Sequence, residues 1–89
     1  MAFTRDLAAA YGPRGLRANV VVPGFIDSPM SRHLVGGREE RARAEEQRIP
    51  LRRIGHPEEV AELTAFLASD AASYLTGSVI FVDGGLSLV

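Results

Sequence analysis

Val20-Val21-Val22-Pro23-Gly24-Phe25-Ile26-Asp27-Ser28 is the stretch whose reading decides the fold. Three β-branched residues in succession favour a strand, and Pro23-Gly24 stops it. Upstream, Leu16-Arg17-Ala18-Asn19 alternates weakly, so the expected strand runs over 16–22. An uninterrupted apolar run of this kind suits a strand covered on both faces, as in parallel sheets. Before it, Phe3, Leu7 and Ala10/Tyr11 recur at helical spacing and predict a helix over 2–11, apolar on that side. Gly12-Pro13 ends that helix, with glycine expected in the left-handed position just past it.

Downstream lies a polar middle, residues 29–50, with a joint at Gly36-Gly37. Within it the charged run 38–48 reads as a short solvated helix, with Glu39 and Arg43 four residues apart. A further helix opens at Pro57, whose missing N–H costs nothing there, and Glu58 and Glu59 suit the dipole of its first turn. Val60, Leu63 and Leu67, flanked by Ala61 and Phe66, form its expected buried side. Ser69-Asp70 ends it and opens a short helical turn reaching Ser73. Ser78-Val79-Ile80-Phe81-Val82 is a second strand, closed by Asp83-Gly84-Gly85. A strand, a long crossover with a helix, and another strand imply parallel pairing and a right-handed connection. The chain is therefore a piece of an α/β sheet.

Composition bounds the function. The chain has 89 residues, 46% of them hydrophobic and 24% charged, which is a globular mixture. A net charge of −1 gives no general attraction to nucleic acid or anionic membrane. There is no cysteine, hence no thiolate or disulfide chemistry, and no apolar run long enough to span a bilayer. No signal-peptide pattern follows Met1, and a cytoplasmic setting is the default expectation. All ten basic residues are arginine, so no mechanism that requires lysine resides in these residues alone.

Open α/β sheets bind ligands beyond the carboxyl ends of their strands. Here those ends are residues 23–28 and Asp83-Gly84-Gly85. The spacing alone is equally that of an ordinary strand-ending turn. His33 and His56 lie apart and have no cysteine to join them, so no metal site is expected. Arg52-Arg53 suits a solvated position better than a phosphate site. Tyr74 is expected to pack, and the Asp83 carboxylate to cap nearby N–H groups.

Several blocks together resemble the short-chain dehydrogenase/reductase family. They are Phe3-Thr4-Arg5-Asp6-Leu7-Ala8, Gly12-Pro13-Arg14-Gly15-Leu16-Arg17-Ala18-Asn19 and Val22-Pro23-Gly24-Phe25-Ile26-Asp27-Ser28-Pro29-Met30. Ile49-Pro50-Leu51-Arg52-Arg53-Ile54-Gly55, Pro57-Glu58-Glu59-Val60-Ala61 and the ending from Ala68 through Gly77 to Asp83-Gly84-Gly85 follow in family order. The nearest look is to the 3-oxoacyl-(acyl-carrier-protein) reductase branch. The resemblance implies the carboxyl-terminal part of a Rossmann-type, doubly wound parallel sheet, covering residues 1–89 as one partial domain. It implies an NAD(P)-dependent oxidoreductase interconverting a carbonyl and an alcohol, with NAD or NADP as cofactor. Pro23 and Gly24 would shape the turn against the nicotinamide. Ile26 would hold the carboxamide through its main chain and Ser28 through its hydroxyl, while residues 29–50 would be the substrate lid.

The resemblance also shows what these residues lack. No glycine-rich pyrophosphate loop occurs, and the family's catalytic serine with Tyr-x-x-x-Lys has no counterpart, because Gly15 and Ser78 lie four residues beyond Tyr11 and Tyr74. In the family that motif comes just before the helix matched by 2–11, so it is expected upstream of Met1. No catalytic residue is therefore assigned. Small-molecule carbonyl or alcohol substrates and a homo-oligomer are the implied partners. A non-catalytic small protein that packs with a full-length relative is the alternative.

Overall fold

The computed structural model describes residues 1–27 and 38–89, with side chains omitted for residues 38–42. Chain order is helix α1 (Ala2–Tyr11), strand β1 (Val20–Pro23), helix α2 (Arg38–Arg48), helix α3 (Pro57–Ala68) and strand β2 (Val79–Val82). Single 3-10 turns occupy Gly12–Arg14, Asp70–Ala72 and Leu86–Leu88. β1 and β2 are neighbours in a two-stranded sheet. The register advances equally on both strands: Val20 N–H donates to the Ser78 carbonyl at 2.8 Å, and Gly24 N–H to the Val82 carbonyl at 2.9 Å. That is parallel pairing, as the crossover requires. The residues gather into two compact units, Met1–Val22 with Ala61–Ile80, and Pro23–Val60 with Phe81–Val89.

In the first unit, α1 runs over the expected residues, but its apolar side is not the buried one. Ala8 is buried, whereas Phe3 is 73% exposed and Tyr11 is also exposed. Only small residues meet there: a Cβ placed on Gly77 would stand 3.7 Å from the Ala8 Cβ. Gly12 corrects a second expectation. Its φ of −51° is right-handed, and the left-handed residue is Gly15, with φ 86°. Pro13 draws the chain into a 3-10 turn first, and Gly12 tolerates helical angles before proline because it has no Cβ to clash.

β1 is shorter than the expected 16–22 strand: at residues 17–19 one backbone bond, from Gly77 N–H to the Ala18 carbonyl at 2.7 Å, is accompanied by several side-chain bonds. The Arg17 guanidinium donates to the carbonyls of Leu75 and Ser69, both at 3.3 Å. Asn19 donates through Nδ2 to the Leu75 carbonyl at 3.1 Å and accepts the Ser78 N–H at its Oδ1 at 3.1 Å. Ala18 N–H donates to Thr76 Oγ1 at 3.1 Å. The Ser78 N–H is thus taken by Asn19 while its carbonyl pairs with Val20, and β2 opens one residue later than expected. Within this unit Leu67 and Ala72 are buried. Phe66, expected on the covered side of α3, is 44% exposed, and Tyr74, expected to pack, is fully exposed. Both project where no described element of the unit covers them.

The second unit holds Ile49, at 1% exposure the largest fully buried side chain among the described residues. α2 and the start of α3 match the expected spans. Arg48 pairs with Glu45 at 3.0 Å on the exposed face of α2. The Gly36-Gly37 joint lies outside the described residues, as does the Glu39 side chain expected opposite Arg43.

Asn19 makes the most specific tie in the first unit. Asn19→Ala removes one donor and one acceptor and is expected to destabilise the chain by about 1–3 kcal/mol, the sum of two net hydrogen bonds. A denaturant midpoint equal to that of the parent would show that the tie is dispensable.

Candidate functional site

Three loops of the second unit meet at the carboxyl ends of the strands. The first leaves β1 at Pro23-Gly24. Gly24 is required by space: a Cβ there would stand 2.7 Å from the Asp83 Cβ and 2.9 Å from its Cα, closer than real atoms approach. The first contact that demands glycine is therefore the backbone of the neighbouring loop, whereas the sequence reading attributed the requirement to a bound ring.

The second loop is Asp83-Gly84-Gly85. Both glycines have left-handed φ, 64° and 95°. A Cβ on Gly84 would come within 2.6 Å of Ile49 Cγ2, and one on Gly85 within 2.9 Å of Pro50 Cγ. The Gly84 carbonyl accepts the Leu51 N–H at 3.1 Å. Bare backbone thus lies flat on Ile49-Pro50-Leu51. The Asp83 carboxylate fastens the turn, taking Ser87 N–H at 2.9 Å and Gly85 N–H at 3.0 Å. Those donors, Ser87 foremost, hold its carboxyl below the ordinary carboxylate range. This is the capping role expected from the sequence.

The third loop, residues 49–56, turns back through Arg52, which has a left-handed φ of 58° and donates from Nη1 to the Ile49 carbonyl at 2.8 Å. Its far end holds the first loop. Ile26 and Gly55 form an isolated parallel bridge. Gly55 N–H donates to the Phe25 carbonyl at 3.0 Å, and Asp27 N–H donates to the Gly55 carbonyl at 2.9 Å. In a parallel bridge the bonds come from the residues flanking the paired one. The Ile26 N–H and carbonyl therefore both lie on the opposite edge of the strand. Pro23 is exposed at the end of β1, and Ser28 lies outside the described residues.

Arg53 and Glu59 were not singled out as a pair by the sequence reading. They form a two-pronged ion pair, Nη1 to Oε1 at 2.7 Å and Nη2 to Oε2 at 2.8 Å. Glu59 is the third residue of α3 and also accepts the His56 N–H at 3.0 Å, half of a capping box. Arg53 first, and the His56 N–H second, bring the Glu59 carboxyl down to about 2. An apolar cleft of about 500 Å³ beside these residues is lined by Phe25, Leu51, Phe81 and Leu88 among others.

A family model described as enoyl-(acyl carrier protein) reductase matches residues 1–87. The chain belongs to the short-chain dehydrogenase/reductase family. It is 46% identical over 85 residues to a 3beta-hydroxysteroid dehydrogenase of Eggerthella lenta, covering 96% of this chain and 32% of that protein. With a 3-oxoacyl-(acyl-carrier-protein) reductase of Thermotoga maritima the identity is 49% over 83 residues, covering 93% and 32%. The solved structure of a short chain dehydrogenase family protein from Francisella tularensis superimposes with a TM-score of 0.93 at 34% identity, over 99% of this chain and 40% of the other. The sheet described above is thus part of a Rossmann-type α/β fold. The chain spans about a third of the length of the curated relatives it matches.

Gly84→Ala tests the turn that joins the second and third loops. A methyl group against Ile49 at a left-handed φ is expected to cost roughly 2–4 kcal/mol, from overpacking plus backbone strain. Wild-type stability in that variant would show that the turn does not bear on Ile49. Glu59 gives a pH test. Its carboxyl is depressed in the folded chain from an ordinary 4.5 to about 2. The contribution is therefore complete above 4.5 and fades as pH falls toward 2. Acid unfolding of Glu59→Gln should lack that component, a small one because the pair is exposed.

Proposed function

We propose that this chain is the nicotinamide-facing and substrate-covering part of an NAD(P)-dependent oxidoreductase that interconverts a carbonyl and an alcohol. The observation that carries the reading is the Ile26 bridge. It fixes the loop that the family resemblance assigns to the carboxamide, holding Phe25 and Asp27 on Gly55. Gly24 and Pro23 shape the turn leading to it, and Ser28 adds a hydroxyl. When bound, NAD or NADP supplies the hydride acceptor or donor. This chain's residues orient the carboxamide, and with it the face of the ring offered to substrate. Residues 29–50 cover the substrate. Ionisation of a catalytic tyrosine by a neighbouring lysine is work for residues outside this sequence, which contains no lysine. The family resemblance gives the chain the carboxyl-terminal position of the fold. The exposed apolar residues, Phe3 and Tyr74 among them, suit cover by the rest of the domain and by other subunits.

The test is reconstruction. The chain replaces the matching 83 residues of the Thermotoga maritima reductase, leaving that protein's remaining residues in place. NAD(P)H-dependent carbonyl reduction is expected from the graft and none from the chain alone. In the graft, Ser28→Ala should raise the cofactor KM by roughly two- to tenfold, the loss of one net hydrogen bond. A folded graft that binds neither dinucleotide would contradict the reading, as would turnover by the isolated chain.

A further inference from the structure

We propose that Glu59 is a positioning residue for the loop Phe25-Ile26-Asp27, acting through Gly55; the cofactor part of this inference rests on the function proposed above. One carboxylate ties the chain on both sides of Gly55. It takes two bonds from Arg53, at 2.7 and 2.8 Å, and one from the His56 N–H at 3.0 Å. Arg53 and His56 bracket Gly55 in sequence, so these bonds close a ring around it. Arg53 and His56 are also the ionisable neighbours that act on the Glu59 carboxyl.

Gly55 passes this restraint to the loop. Its N–H and carbonyl hold Phe25 and Asp27 at 3.0 and 2.9 Å. A Cβ on Gly55 would lie 3.0 Å from Ile26 Cδ1 and 4.0 Å from Glu59 Oε1. The glycine therefore has both the loop and the carboxylate as neighbours. A two-pronged guanidinium–carboxylate pair fixes the planes of both groups as well as their distance. Glu59 is itself built into the first turn of α3, a helix of 12 residues, which gives the restraint a rigid base. The register of Ile26 is thus set, through Gly55, by the Glu59 side chain. An exposed ion pair adds little to global stability, so the effect belongs to the loop and not to the whole chain.

The experiment is hydrogen exchange by mass spectrometry on the full chain, comparing wild type with Glu59→Gln, Arg53→Gln and the double variant. Glu59→Gln keeps a side-chain oxygen for the His56 N–H and loses only the charge pair. Peptides containing Asp27 and Gly55 should exchange roughly threefold faster in each single variant, the scale of one exposed pair. The double variant should exchange no faster than the singles, because the two residues act as a unit. Peptides spanning residues 69–78 serve as the internal reference and should not change. After correction for intrinsic rates, wild type labelled from pH 4.5 toward 2 should converge on the Glu59→Gln variant, which should stay flat. In the graft, Glu59→Gln should raise the cofactor KM by a similar factor of about three and leave kcat within about twofold. Equal exchange at Asp27 and Gly55 in wild type and Glu59→Gln, or no protection there in wild type, overturns the inference. Faster exchange with an unchanged cofactor KM overturns the positioning role. A wild-type graft that binds no dinucleotide overturns the proposed function instead, and the exchange data then report a clamp without a cofactor.

Discussion

The contact of Gly84 with Ile49 is the constraint on which the second unit depends. Ile49 is the one large side chain there that is fully buried, and it reaches that state because the backbone above it carries no Cβ. Left-handed φ at Gly84 and Gly85 lays the turn flat, and the Asp83 carboxylate locks the turn by capping its N–H groups. A β-carbon at either glycine would lift the turn from Ile49-Pro50-Leu51. The small core follows from this one exclusion of side-chain volume, since packed interiors tolerate neither voids nor overlap.

From that base the loops hold one another in sequence. Asp83 leaves room for Gly24 and nothing larger, which sets how β1 ends. Ile49 anchors the 49–56 loop, whose Gly55 then grips Phe25 and Asp27. The strand that stops at Pro23-Gly24 therefore does not trail off: two residues later it is caught again by a parallel bridge. Family membership gives this arrangement a setting, the strand ends of a Rossmann-type sheet, where open α/β sheets bind their ligands. Precision at the loop comes from backbone bonds and glycine packing, and the polar side chains act at one remove, holding the loops that hold Ile26.

Much of the fold was legible in the sequence because its signals are local. Pro57 with Glu58 and Glu59 fixed the start of α3, and the β-branched run Val20-Val21-Val22 with its Pro-Gly stop fixed β1. Side-chain ties were not legible in the same way. Arg17 and Asn19 bond to residues more than fifty positions away, and nothing in Leu16-Arg17-Ala18-Asn19 shows that its partners are turn carbonyls and not a strand. Burial was misjudged at Phe66 and Tyr74, and Phe3 stands exposed on its apolar face, since periodicity marks such a face without saying that anything covers it. In the site, Pro23, Gly24 and Ile26 were named through family resemblance, and the structure supplies a physical reason for Gly24 that differs from the expected one. Gly55 stood only within a family block, and Arg53 was read as solvated and not as the partner of Glu59. The available hint was the proline-led helix start with glutamate at its third position, the pattern of a capping box, with an arginine six residues before that glutamate.

The central claim is that the edge of Ile26 turned away from Gly55 receives the nicotinamide carboxamide. A crystal structure of the grafted enzyme with its dinucleotide bound measures this most directly. The account predicts the Ile26 N–H and carbonyl within hydrogen-bonding distance of the carboxamide, with the Phe25 and Asp27 bonds to Gly55 intact. A carboxamide held by other groups, or a loop released from Gly55 when the dinucleotide binds, would contradict it.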